Sequence, residues 1–571
     1  LRSCAEEKPV NKNFYLDNAD LVFQIEKLID WDAIVRLKED VGSEECPFAT
    51  TEEAAATYCE LLADPIGALA AERIAPRAAD VDREGCQFDG TTVKFPEGLV
   101  RNLKDLCEAQ VMGLTLPRKY GGLQFPETIY TAAIEIISRA DASLMNFFGL
   151  QGGIAATINQ FGSDALKDRY LPGMSSGEKT GAMALTEPDA GSDLAAIQTR
   201  AALDATLDPV TGEWLLTGTK RFITNGCGDV ILTLARSENP ATHSGARGLS
   251  FFVVEKSDRV TVRRIEHKLG INGSPTCEIY LDKAPALLIG RRGHGLARYT
   301  AWLMMAARVA VAGQAVGICE AAVQEARRYA DEREQFGKKI SALPQVAAML
   351  EDMQVYTEAG RALLYATSEI VDLHQGAEQR ELASETRKFA RLAGVLTPMT
   401  KYYCAELANR VAYIGLQVHG GAGYMKEYAA ERLSRDARIT NIYEGTSQIQ
   451  IAWAAPRLLK GDLDDLFARD ASHVYTDASL APIAARVSES LGLLREAMDF
   501  VRAQPAGYEE RVGIYLVDMA IDVLVSQLFL RQAERSEHKK RVLTRFVRDA
   551  GPRVRMNLEY VRTAEAAQPV G

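Results

Sequence analysis

No two of the nine cysteines in this 571-residue chain are spaced as Cys-x-x-Cys, and none clusters with histidine. That excludes the usual zinc sites and an extracellular disulfide framework, and suits a reducing cytoplasm; no metal site is expected. Basic charge is also short. Lys and Arg number 66 against 77 Asp and Glu, a formal net charge of −11. The balance argues against a nucleic-acid partner, although a local basic patch can still hold a phosphorylated ligand. No apolar run is both long and free of charge. The stretch 514–530 contains Asp518 and Asp522, and 304–323 carries Arg308 and Glu320. Both read as buried helices, and no integral membrane segment is expected. Residues 1–17 lack the apolar region of a signal peptide. No Gly-x-Gly-x-x-Gly follows a strand-like run, which removes support for Rossmann-type dinucleotide binding. Repeats of fixed period and low-complexity tracts are missing too.

What is there is 47% hydrophobic and 25% charged, the balance of a globular protein, in a chain long enough for three or four units. Residues 1–50 form a leader. Residues 51–181 read as mostly helical, with a capped start at Thr51-Glu52-Glu53-Ala54 and helical periodicity over 96–112. From 182 to 290 the pattern changes to short strand-like runs at 214–217, 221–224, 231–234, 249–254, 260–262 and 278–281. Turn clusters at 208–213 and 225–228 separate them, which predicts a small β-barrel or sandwich. Long helical patterns return over 291–460, with breaks expected at 337–344, Pro398 and 419–423. Residues 461–571 form a further unit, linker-like over 462–477 and amphipathic helix over 480–563. The fold class is α+β.

Five segments carry candidate chemistry. Residues 184–193 (Ala-Leu-Thr-Glu-Pro-Asp-Ala-Gly-Ser-Asp) contain a Gly-Ser pair that lets backbone N–H groups approach an anion or a flat ring edge. Arg221-Phe222-Ile223-Thr224 ends a strand with a hydroxyl. In 331–337, Arg333 can fork onto a phosphate and Phe336 can stack on a ring. The glycine-dense run 417–424 suggests close backbone approach to a ligand, while its His419 alone reads as a packed or capping residue. Finally, Glu444 stands between Tyr443 and Gly445, where desolvation can raise a carboxylate towards a useful general base.

In this order and spacing the pieces resemble the acyl-CoA dehydrogenase family over residues 90–460. Residues 185–193 are similar to its first flavin motif. Gln417-x-x-Gly-Gly-x-Gly-Tyr424, followed by Glu427, Arg432 and Asp436, is similar to its second, and 442–450 to the segment bearing its catalytic glutamate. The resemblance implies an N-terminal helical domain, a middle β-domain and a C-terminal four-helix bundle, here with an additional helical tail domain. It implies FAD between the β-domain and the bundle. Met183, Leu185, Thr186, Gly191, Ser192, Phe222, Ile223 and Thr224 would hold the flavin ring, and Thr446 and Gln448 would complete its contacts. Arg333, Gln335, Phe336, Gln417 and Gly421 would hold the pyrophosphate and adenosine, partly across a homodimer. Ser192, Arg308, Tyr443 and Gly445 would contact substrate. Glu444 would remove the α-proton of an acyl-CoA thioester and flavin N5 would accept the β-hydride, giving the trans-2-enoyl-CoA. Electrons would pass to an electron-transfer flavoprotein.

Some family members place the base beside the arginine matching Arg308, where this chain has Ala307, so Glu444 is the candidate. Met305 stands where many members carry Asp or Asn. The leader and tail are similar to longer members, among them the very-long-chain and 3-methylthiopropionyl-CoA groups. Rival readings on the same fold are an oxidase, a monooxygenase or a desulfinase, and these tend to lose the glutamate. The small residues of 151–157 either border an acyl pocket or permit close helix packing.

Overall fold

The computed structural model describes residues 13–204, 206 and 213–564. The start of the leader, nearly all of the turn at 208–213 and the last seven residues lie outside the described residues.

The N-terminal part is helical. Leader helices α1 (Ala19–Phe23) and α2 (Trp31–Lys38) precede α3 (Thr51–Leu61), α4 (Ala75–Glu84) and α5 (Glu97–Glu108), with the short strands β1 (Gln87–Phe88) and β2 (Val93–Lys94) pairing before α5. Helices α6 (Glu127–Ala140), α7 (Met145–Phe161) and α8 (Asp164–Ser176) follow. Side-chain caps set several starts: Asn18 accepts from Leu21 N–H, Thr50 from Glu53 N–H and Ser163 from Leu166 N–H. The leader is tied down by residues 13–16. Asn13 Oδ1 accepts from the N–H groups of Tyr15 and Leu16, Tyr15 is buried, and the Arg139 guanidinium lies 3.9 Å over the Phe14 ring.

The β-part closes into a barrel. Its strands are β3 (Gly181–Ala184), β4 (Arg200–Leu203), β5 (Trp214–Thr224), β6 (Val230–Arg236), β7 (Leu249–Glu255), β8 (Val260–Ile265) and β9 (Thr276–Ile289). Going round, β6 pairs with β7, β7 with β9, β9 with β5 and β5 with β4. Strand β4 returns to β6 through the parallel pair Arg200↔Arg236. The two runs expected at 214–217 and 221–224 are one strand. Alternation divides β6 and β7 between two cores: Ile231, Phe252 and Val254 fill the barrel, while Leu232, Leu234 and Phe251 pack on Ile154, Ile158 and Leu171 of α7 and α8.

Beyond the barrel, α9 (Ala301–Glu332), α10 (Pro344–Gln379) and α11 (Ala383–His419) are each more than thirty residues long, and the short hairpin β10 (Glu334–Gln335)–β11 (Lys338–Lys339) separates the first two. The break expected at Pro398 is not there: α11 runs through it. A proline removes one helical hydrogen bond, but both Thr397 and Pro398 are buried, and packing on both sides of α11 outweighs that loss. Helices α12 (Ala429–Ala437) and α13 (Ser447–Leu459) complete the bundle.

The segment expected to be a linker holds α14 (Asp464–Ala471), with Leu463 and Phe467 buried. The tail helices α15 (Ala481–Arg502), α16 (Tyr508–Ala533) and α17 (Glu537–Thr563) share a core with Val355, Leu363, Leu396, Met399 and Leu458 of the bundle. The α9 segment from 295 and α16 are long and apolar enough to cross a bilayer, yet 83% and 78% of their apolar windows are buried inside the protein. The aspartates of α16 are used internally: Tyr402 Oη donates to Asp518 at 2.9 Å, and Arg553 pairs with Asp522.

Candidate active site

The end of β3 with its following loop, the end of β5 and the turn before α13 meet at one cavity. Met183, Leu185, Thr186, Gly191, Phe222, Ile223, Thr224, Glu444 and Gly445 all line it. The loop after β3 is pinned from below. Lys220, wholly buried, donates to Leu185 O and to Glu187 Oε1, both at 2.9 Å, and Glu187 accepts the N–H groups of Gln198 and Thr199. Burial pushes Lys220 down to about 8 despite its carboxylate partner. At the end of β5, Phe222 has φ 61° and leaves its ring about half exposed beside the cavity.

Glu444 sits on a strained turn. Its φ is 53° and that of Gly445 is 88°, both in the left-handed region. Locked carbonyls hold the turn in place: Gln450 Nε2 donates to Glu444 O and Gly445 O at 3.0 Å each, and Lys401 Nζ donates to Gly445 O at 2.7 Å. Thr446 caps α13 by accepting from Ile449 N–H. The N–H of Glu444 itself has no acceptor among the described residues. Burial raises the Glu444 carboxyl to about 7, against the pull of the Lys401 and Arg308 cations. Arg308, lowered to about 10 by burial, lies 5.7 Å over the Trp453 ring. The Tyr443 hydroxyl donates to Gln314 Oε1 and, at 3.5 Å, to Oδ1 of Asn146 in the cavity lining, while Tyr443 itself does not line the cavity.

A second cavity of about 260 Å³ shares Leu150, Ile154 and Met183 with the first. Its walls are Gly149, Gly152 and Gly153 of α7 and Ala306, Ala307 and Ala310 of α9. The small-residue run thus borders a cavity and also permits close packing, since a Cβ on Gly152 would lie 2.2 Å from the Tyr130 hydroxyl.

The other site residues expected from sequence do not reach these cavities. Arg333, Gln335 and Phe336 form the exposed hairpin, with Phe336 89% exposed. Gln417, Gly421 and Gln448 are exposed, as is Ser192. The hairpin and the glycine turn emerge together, because Tyr329 near the end of α9 stacks on His419 at 4.5 Å. His419 is packed, its Nδ1 2.7 Å from Gly415 O. Nothing fills the space where a Cβ would stand on Gly420 or Gly421.

Lys401, Lys220 and Gln450 were not singled out by sequence. The available signal for Lys401 was its place on a buried helical stripe with Pro398, Ala405 and Ala408.

Comparison with known proteins accords with this geometry. Residues 59–178, 182–284 and 293–459 match the N-terminal, middle and C-terminal domains of acyl-CoA dehydrogenase. The 3-methylmercaptopropionyl-CoA dehydrogenase of Ruegeria pomeroyi is 35% identical, over 76% of this chain and 74% of its own. An acyl-CoA dehydrogenase of Bacillus subtilis is 36% identical, over 69% of this chain and 95% of its own. A chain in a solved structure of the electron transferring flavoprotein of Acidaminococcus fermentans is 30% identical, with a TM-score of 0.60 over 69% of this chain and 95% of its own. With all three domains matched in order around a cavity that holds a glutamate, the chain belongs to the acyl-CoA dehydrogenase family, FAD-dependent oxidoreductases acting on acyl-CoA.

Proposed function

We propose that the protein oxidises an acyl-CoA thioester to the trans-2-enoyl-CoA, with Glu444 as the base for the α-proton. The observation that carries this is a carboxyl at the cavity wall, raised to about 7 and held by a turn whose carbonyls are locked. A carboxylate poised there is a stronger base than a solvated one and is ionised in a large fraction of molecules at neutral pH. The free N–H of Glu444 is available to donate to the thioester oxygen, where negative charge develops as the proton leaves. Arg308 and Lys401 stabilise the ionised base before reaction.

The cavity fits FAD. Met183, Leu185, Thr186 and Gly191 of β3 and its loop and Phe222, Ile223 and Thr224 at the end of β5 line the same cavity as Glu444, bringing backbone and two hydroxyl-bearing residues to the place where a flavin ring would lie beside the carboxyl. When bound, FAD supplies the hydride acceptor. Gln448, with Thr446, would complete the flavin contacts, while the exposed hairpin with Arg333, Gln335 and Phe336 and the glycine turn with Gln417 and Gly421 would hold the pyrophosphate and adenosine, partly across a homodimer. Their exposure in a single chain supports that reading. An electron-transfer flavoprotein is the proposed acceptor, supported by the likeness to a chain in the solved structure of the electron transferring flavoprotein of Acidaminococcus fermentans.

Anaerobic bleaching of the bound flavin by a panel of acyl-CoAs tests the reaction. Glu444→Gln is expected to keep FAD and lose about 10²–10⁴-fold in flavin reduction. Near-wild-type reduction by that variant rules out Glu444 as the base.

A further inference from the structure

Part of the lining of the second cavity is polar, and nothing in the proposed reaction uses it. Besides the Leu150, Ile154 and Met183 shared with the first cavity and the glycine and alanine walls, the lining includes Lys38, Gln124, Glu127, Gln375, Glu378 and the exposed Gln379. An acyl pocket for a plain hydrocarbon would close with apolar side chains. Here a carboxyl group is part of the lining. Glu127 is 7% exposed, and its Oε1 is shielded from solvent without any hydrogen-bond partner. The N-terminus of α6 does not satisfy it. The N–H groups of Glu127 and Thr128 donate instead to the two oxygens of Asp372, at 2.7 and 2.8 Å. Lys38 approaches Asp372 at 3.8 Å rather than pairing with Glu127.

Resting on the acyl-CoA reading above, we infer that this protein selects acyl chains ending in an uncharged hydrogen-bonding group, a hydroxyl being the simplest, received by Glu127. A carboxylate terminus would meet Glu378 of the lining and the nearby Asp372. An ammonium terminus would meet Lys38. A methyl terminus would leave the Glu127 carboxyl buried against hydrocarbon, a costly arrangement for a polar group. A hydroxyl satisfies it whether it donates or accepts. Burial, with the Asp372 carboxylate close by, raises Glu127 to about 8. It therefore carries its proton at neutral pH and can donate as well as accept.

The experiment compares a length series of ω-hydroxyacyl-CoAs with unsubstituted acyl-CoAs of the same lengths. The full-length FAD-loaded protein is used, with anaerobic flavin reduction as the readout. At the best length the ω-hydroxy substrate should lead by roughly tenfold in kcat/KM, the scale of one unpaired buried polar group. Glu127→Leu should reverse that preference, and Glu127→Gln, which still hydrogen-bonds, should retain it. Loss on both substrates in equal proportion would mark Glu127 as merely structural. Equal or better turnover of unsubstituted chains at every length by the wild-type protein overturns the inference while leaving the dehydrogenase reading intact. Failure of every CoA thioester to reduce the flavin overturns both.

Discussion

Glu444 and Lys401 form a pair in which burial works in opposite directions. It raises the carboxyl to about 7 and lowers the ammonium to about 7, while each opposes the shift through its charge on the other. Lys401 reaches the site through a carbonyl, that of Gly445, and so acts as a positioning residue. With Glu444 as base, kcat/KM of the wild-type protein should rise with pH through about 7, as the carboxyl loses its proton. In Lys401→Met the cation that favours the carboxylate is gone, so the midpoint should move to higher pH. Stopped-flow flavin reduction across a pH series measures it. A uniform loss of rate with an unmoved midpoint would assign Lys401 to holding the turn alone.

At the scale of elements, α7 performs two tasks with one run of small residues. Gly152 lets Tyr130 approach, and its hydroxyl donates to the Phe148 and Gly149 carbonyls. Gly153 faces the cavity, where a Cβ would meet only Leu303 Cδ1, at 3.3 Å. Gly153→Leu is therefore expected to fill the passage with little damage to packing. KM for long acyl-CoAs should rise about tenfold or more while short ones are spared, as a steady-state comparison across chain lengths would show. An unchanged chain-length profile would place the acyl chain elsewhere.

The whole molecule is fastened by a buried ionic junction. Arg361, wholly buried, pairs with Asp20 of the leader at 2.8 Å, Glu135 of α6 at 2.8 Å and Glu320 of α9 at 2.7 Å. Lys539 of the tail joins it through Asp20 and through Glu358, the latter at 2.7 Å. Removing one partner of such a network strands the others without a counter-charge. Lys539→Met should cost roughly 3–5 kcal/mol in denaturant unfolding. Burial alone would raise Glu358, but Lys539 and His538 outweigh it and hold the carboxyl at about 2. A depressed folded-state value stabilises the protein above the ordinary 4.5, and that stability is lost as pH falls from there towards about 2. Acid should thus loosen the wild-type tail more than that of Lys539→Met, which hydrogen exchange along α17 would reveal. The tail already occupies faces of α10, α11 and α13 that could otherwise pair with further copies. Light scattering without detergent is expected to give the homodimer proposed above; a tetramer would count against tail capping.

The sequence by itself determined the order of helical, β and helical parts, the family motifs and the glutamate, because those depend on local periodicity and on side chains adjacent in the chain. It did not determine that 214–224 is one strand, that α11 continues through Pro398, or that α14 packs where a linker was expected. In each case burial contributed by distant elements outweighed the local preference. The supports of the site were hidden for the same reason. Lys401 lies 44 residues from the carbonyl it holds, and Lys220 lies 35 from Leu185. Lys38, Glu127 and Ala310 line one cavity only because leader, α6 and α9 pack together. A buried charge takes its meaning from its surroundings, and only the tertiary structure supplies those.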